Sequence, residues 1–185
     1  MVVSPIGNRF IELIQGDIVE QAVDILVTAA NSELKGGGGV DAAIHRAAGA
    51  ELLAACRKIG GCVTGKAVIT PAFNLERQKI RAIIHAVGPI WQGGMHGEAK
   101  HLESAYNSSL ILAEHARAIS LAFPSISTGA YGYPIEPAAT IALKTVADFL
   151  ATEAASLQRI CFVLFDVKSY AIYQKALKQL QKSTT

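Results

Sequence analysis

No stretch of this sequence stays apolar for the ~18 residues that a membrane-spanning helix requires. The opening MVVSPIGNRF has no basic segment leading into a long apolar one, so a secretory signal is not expected either. Cysteine is scarce. Cys56, Cys62 and Cys161 are odd in number and include no CxxC pair, which favours reduced thiols in the cytoplasm over a disulfide framework. Charge is sparse too: Asp, Glu, Lys and Arg make up 17% of the residues and the net charge is +2, with basic and acidic side chains interspersed. That argues against nucleic-acid binding through a basic stripe and leaves an anionic small ligand open. Proline and serine rarely interrupt the alanine-rich segments, so no linker stands out and residues 1–185 read as a single domain.

What is present is apolar residue in quantity, 51% of the chain, enough for one substantial core. It is arranged in alternating strand and helix patterns. RFIELIQGDI, DILVTAAN, GKAVITPAF, KIRAIIHAVGP, ISLAFPSIS and RICFVLFD read as strands. A helix is expected from about Val40, with a second short one after a break near Gly49. EAKHLESAYNSSLILAEHARA, EPAATIALKTVADFLATEA and SYAIYQKALKQLQ are helical, the first placing Leu102, Ala105, Tyr106, Leu110 and Ala113 on one face. Alternation of this kind indicates an α/β domain with parallel central strands covered on both faces, and a ligand beyond the strands' carboxyl ends.

Three glycine-containing loops invite nucleotide readings. Gly37-x-Gly39-x-x-Ala42 approximates a dinucleotide fingerprint, but NSELK separates it from the preceding strand and no acid closes a second strand at the required distance. Gly60 to Lys66 spells GxxxxGK, with Ala67 where a metal-binding hydroxyl belongs and a strand following where a helix should. The third, PSISTGAYGYP, offers free backbone N–H groups that can converge on an anion, and alone it reads equally well as a plain strand-to-helix turn. It holds no GxSxG, so Ser127 is not a nucleophile of the elbow type. Two such loops flanking one ligand suit a diphosphate.

Together GDI, TAANSELKGGGGVDAAIHRAAG, TGKAVIT, IIHAVGPIW and FPSISTGAYGYP resemble the macrodomain family, and within it the MacroD type of O-acetyl-ADP-ribose deacetylases and mono-ADP-ribosyl hydrolases. The motifs follow family order and span nearly the whole chain. The resemblance implies a three-layer α/β/α fold around a six-stranded mixed sheet, with ADP-ribose in a cleft at its crest. It assigns Asp17, with the backbone of Ile18, to the adenine amino group, although a Gly-Asp at a strand end also serves as a cap. Ser127, Thr128, Gly129, Ala130 and Tyr131 would surround the diphosphate, with Tyr131 near the distal ribose. Gly38, Gly39 and Val40 would bring backbone to that ribose, and Phe165 would lie against the adenine ring, where a core role is the plain alternative.

The same resemblance pairs Asn31 with Asp41 beside the distal ribose. An ADP-ribosyl ester needs an activated water and a place for developing charge, so Asp41 is expected to orient or deprotonate the water while Asn31 holds ribose hydroxyls. A purely structural reading makes Asp41 a first-turn helix acid worth roughly 0.3–1 kcal/mol. His45, one helical turn on, is a secondary member of the site, and His85 reads as core. His96, His101, Cys56 and Cys62 show no ligand spacing, so no metal and no cofactor are expected. The chain departs from the family at Thr28, which stands where Asn-Ala-Ala-Asn usually begins. Threonine keeps a hydroxyl for the ribose and loses the amide's second donor and reach. Expected partners are ADP-ribose or O-acetyl-ADP-ribose and ADP-ribosylated proteins, with the protein a monomer. The alternatives are a non-catalytic ADP-ribose-binding module and, with less support, an RNA-linked regulator.

Overall fold

The computed structural model describes residues 2–183. Among the described residues seven strands, one more than the six expected, form a single mixed sheet. They are β1 (Val2–Ile6), β2 (Arg9–Gln15), β3 (Ile25–Ala29), β4 (Ala67–Pro71), β5 (Ala82–Ala86), β6 (Ser120–Phe123) and β7 (Arg159–Leu164), in the spatial order β1-β2-β7-β6-β3-β5-β4. The added strand is β1. Pro5 obscures it in the sequence, because proline cannot donate to a ladder, yet an edge strand tolerates it. The pairing Ile6↔Arg9 leaves a two-residue turn, and Gly7 at φ 61° takes its first central position, where glycine is favoured.

The edge strands β1 and β4 run antiparallel to their neighbours, whereas β2, β7, β6, β3 and β5 are mutually parallel. Their carboxyl ends therefore share one rim. The helices are α1 (Gly39–Ala48), α2 (Ala50–Ile59), α3 (Glu98–His115), α4 (Ile135–Thr152) and α5 (Val167–Ser183), with short 3-10 turns at Ile18–Glu20 and Phe73–Gln78. None is long and apolar enough to cross a membrane.

Period-two alternation along the buried strands sorts side chains between two cores. Ile25, Val27, Ile84, Ala86, Phe123 and Phe162 face α3, α4 and α5 through Leu102, Tyr106, Val146 and Tyr173. Leu26, Ile83, Ala122 and Cys161 face α1 and α2 through Ile44, Leu52 and Cys56. This is the three-layer arrangement expected. The α1/α2 face also receives the next residues of that parity, Thr28 and His85, which are partners in the β3/β5 register. Both are fully buried. Two polar side chains thus lie side by side beneath the segment that follows β3.

Candidate functional site

The segment after β3 is shaped by Asn31. Its Nδ2 donates to the Gly36 carbonyl at 2.8 Å, its Oδ1 accepts the Lys35 N–H at 3.2 Å, and its backbone carbonyl accepts the Leu34 N–H at 3.0 Å. Gly36 and Gly39 adopt φ 79° and 56°, conformations that favour glycine. Gly37, Gly38 and Gly39 are exposed, and α1 starts at Gly39 with Gly38 as an N-cap that supplies no side-chain bond. Backbone N–H groups of the first turn are consequently open to a ligand.

Asp41, in that first turn, points inward and is only 2% exposed. Its Oδ1 accepts the Thr28 hydroxyl at 2.7 Å, and the Gly37 backbone lies close enough to favour the ionised carboxylate. A Cβ at Gly37 would sit 3.4 Å from Oδ2, so the glycine run packs directly on this oxygen. Burial raises the Asp41 pKa; Thr28, the charge of His45 and Gly37 pull it back only in part. Thr28 itself has no exposed surface, so its hydroxyl is committed to Asp41 and does not meet a ribose.

His45 lies one turn further, Nε2 3.8 Å from Asp41 Oδ1, with its ring edge-on to that of His85 at 6.2 Å. His85 Nε2 bonds the Thr70 hydroxyl at 2.9 Å, which satisfies the core reading, and burial followed by the charge of His45 lowers its pKa to about 4. Cys56 completes this group. Burial, then the Asp41 charge, pushes the thiol up to about 11. The ligand atoms of His45, Cys56 and His85 lie within 4.8 Å of one another, a convergence that the sequence spacing conceals. Cys56 Sγ, however, is 3.9 and 3.8 Å from the two ring nitrogens of His85, on the lone-pair axis of neither. The arrangement suits buried polar packing better than a tetrahedral metal.

Across the rim, the loop after β6 turns through Ser127 at φ 68° and Gly132 at φ 67°. Thr128 Oγ1 donates to Ser125 O, Gly132 N–H to Gly129 O and Tyr133 N–H to Ser127 O. These internal bonds leave the N–H groups of Thr128 to Tyr131 unused by the loop. Ser127 Oγ is buried and has no hydrogen-bond partner among the described residues. Tyr131 feels both halves of the site: burial, then the charge of Asp41, raises the pKa of its phenol.

A third loop, after β5, braces this one. Trp91 N–H donates to Tyr131 O at 2.9 Å and its ring packs on Tyr133 at 4.7 Å. The buried Glu98 carboxylate accepts N–H groups of Gln92, Gly94 and His96. Burial opposes its ionisation, but these bonds and its own backbone N–H outweigh that and hold the pKa down to about 2, from 4.5. A depressed carboxyl pKa contributes stability above the unfolded value and loses it as pH falls through the folded one. Scanning calorimetry is therefore expected to show Tm falling between pH 4.5 and 2, with part of that slope abolished in Glu98→Gln.

At the other end of the rim, Gly16 N–H donates to Leu164 O, so the residues after β2 and β7 are neighbours. Asp17 Oδ1 caps the 3-10 turn at Val19 N–H, and Ile18 is buried under it. Phe165 is 81% exposed, which excludes the core alternative. A cavity of about 400 Å³ links Thr128 and Gly129 to Asp166, Lys168 and Ser169 in the turn beyond Phe165. The structure thus gathers Thr28, Asn31, Gly38, Gly39, Val40, Asp41 and His45 at one end of the rim, Asp17, Ile18 and Phe165 at the other, and Ser127 to Tyr131 beside both. Sequence reasoning missed Trp91 and Glu98, whose roles depend on loop packing, and Gly88, where an added Cβ would meet Ser127 Oγ at 2.1 Å.

The chain matches known proteins along nearly its full length. The model of the Macro domain family matches residues 27–142. An O-acetyl-ADP-ribose deacetylase of Salmonella gallinarum is 51% identical over 173 residues, 91% of this chain and 94% of that protein. A macrodomain of Oceanobacillus iheyensis solved with ADP superposes with a TM-score of 0.92 at 41% identity, covering 98% of this chain and 97% of the other. A Trypanosoma brucei macrodomain in complex with ADP-ribose gives 0.83 at 38% identity, covering 90% and 68%. With its motifs, its three-layer architecture and these matches in agreement, the chain belongs to the Macro domain family.

Proposed function

We propose that the protein binds ADP-ribose along this rim and hydrolyses ADP-ribosyl esters, removing acetate from O-acetyl-ADP-ribose or mono-ADP-ribose from acidic side chains. The observation that carries the reading is Asp41: a carboxylate held by the Thr28 hydroxyl beneath the exposed glycines, on the same rim as a loop of unused N–H groups. The relatives' names and ligands support the ADP-ribose half of the substrate.

In this reading adenine rests on Phe165 with its amino group on Asp17 and Ile18, and the diphosphate accepts N–H groups of Thr128 to Tyr131. The distal ribose then lies over Gly38, Gly39 and Val40, where Asn31 offers its remaining amide hydrogen. Water adds to the ester carbonyl as Asp41 takes its proton. The tetrahedral intermediate expels the ribose oxygen, which recovers the proton from Asp41, and the carboxylic acid leaves and ionises, giving its proton to solvent. No protein nucleophile is used. The glycine run covers Asp41 Oδ2 with backbone alone, since a Cβ at Gly37 would stand 3.4 Å from it. Three free cysteines and the absence of a basic stripe support a cytoplasmic protein acting on nucleotide and protein esters.

Calorimetry with ADP-ribose beside turnover assays on O-acetyl-ADP-ribose and on an ADP-ribosylated glutamate peptide tests the proposal. Binding with release of acetate or ADP-ribose is expected. Binding without turnover would make the protein an ADP-ribose reader, and no binding would remove the reading altogether.

A further inference from the structure

The loop after β6 is rooted on two tyrosines from different helices. Tyr106 of α3 and Tyr173 of α5 are both fully buried. The Tyr106 hydroxyl accepts the Ile126 N–H at 3.0 Å and donates to the Pro124 carbonyl at 3.3 Å. The Tyr173 hydroxyl donates to Ser125 Oγ at 2.9 Å. Ser125 in turn accepts Thr128 Oγ1 through its carbonyl. Two phenols therefore engage three consecutive residues at the point where β6 gives way to the loop.

The rings cannot move independently of the core. Tyr106 meets Phe123 edge-on at 5.0 Å and Phe162 at 6.1 Å, and Tyr173 meets Phe162 at 5.4 Å. Phe123 and Phe162 stack at 5.7 Å. A phenol on a locked ring fixes its oxygen, and so fixes the backbone groups bonded to it. Those groups lead straight into Ser127 at φ 68°, the residue that turns the loop.

We infer that Tyr106 and Tyr173 are positioning residues for the diphosphate: they set the root of the β6 loop so that the N–H groups of Thr128 to Tyr131 converge before the ligand arrives. Neither touches the ligand. Donors already aimed at an anion need no ordering on binding, so they contribute more to affinity than the same donors on a mobile loop. The inference rests on the assignment of this loop to phosphate. It predicts something an ordinary core tyrosine would not, an affinity loss confined to phosphate-bearing ligands.

Tyr106→Phe and Tyr173→Phe keep the rings and remove the hydroxyls. Leu110→Ala, on α3 one turn past Tyr106, loosens the same core without touching the loop. ADP binding by calorimetry is expected to weaken about tenfold in each Phe variant, the worth of roughly one hydrogen bond. Adenosine binding, followed by NMR titration, is expected to stay within about twofold, and Leu110→Ala to leave both ligands so, whatever its Tm. Equal losses for ADP and adenosine, or unchanged ADP affinity in the double Phe variant, would overturn the inference. If the parent binds no ADP, the functional reading fails on its own. Amide exchange of Thr128 to Tyr131 then decides: faster exchange in the Phe variants than in Leu110→Ala sustains the positioning role, and equal exchange ends it.

Discussion

Replacing Asp41 by alanine is expected to lower kcat for ester hydrolysis by roughly 10²–10⁴-fold, the usual contribution of a positioned general base. Binding of ADP, which has no distal ribose, should be unaffected. The carboxylate is nearly sealed and shares Oδ1 with Thr28, so a stability change also follows, and Asp41→Asn separates the two effects because its amide oxygen still accepts the Thr28 hydroxyl. Turnover near the parent level in a folded Asp41→Ala protein would refute the assignment. The pH profile provides a second reading. Burial raises the Asp41 pKa, so the acid limb of kcat/KM should lie above the ordinary carboxylate value of 3.8. Thr28 favours the ionised form, and Thr28→Val should move that limb further up. A limb that stays in place when the hydroxyl is removed would mean that another group titrates.

Gly88→Ala is expected to weaken ADP and ADP-ribose by roughly 10- to 150-fold, equivalent to losing one charge-assisted hydrogen bond of about 1.5–3 kcal/mol. The cause is steric. A Cβ at Gly88 would stand 2.1 Å from Ser127 Oγ and 2.5 Å from Ile126 Cγ2, inside any tolerable contact, so the β6 loop must shift. Overpacking should also cost about 1–3 kcal/mol of stability. Gly60→Ala makes a useful contrast, because that glycine has φ 88° and open space around it: strain without displacement of the site. Calorimetric titration of both variants with ADP checks the claim, and equal affinities would show that the loop tolerates the shift.

The parts of the molecule legible in the sequence are those fixed by local pattern. Six strands and five helices follow from period and from glycine breaks such as Gly49, which at φ 90° ends α1 and starts α2. β1 escaped because Pro5 argues against a strand unless the strand is known to be an edge, a fact of sheet order and not of local sequence. Asp41 and the β6 loop stood out by motif. The role of Thr28 did not. Its distance in sequence from Asp41 gives no hint that α1 folds back to lay the carboxylate on the hydroxyl, and a ribose contact was the natural expectation for a residue at that position. Glu98 and the two buried tyrosines were invisible for the same reason: each acts on backbone groups of a distant loop, which no side-chain pattern records.

The pairing of Thr28 with His85 across β3 and β5 ties the register of the sheet to the site. A strand slipped by one residue would turn Val27 toward α1 and Thr28 toward the opposite layer, leaving Asp41 without its donor. The Thr28–Asp41 bond is thus a test of strand register, because it forms only when β3 and β5 pair in step.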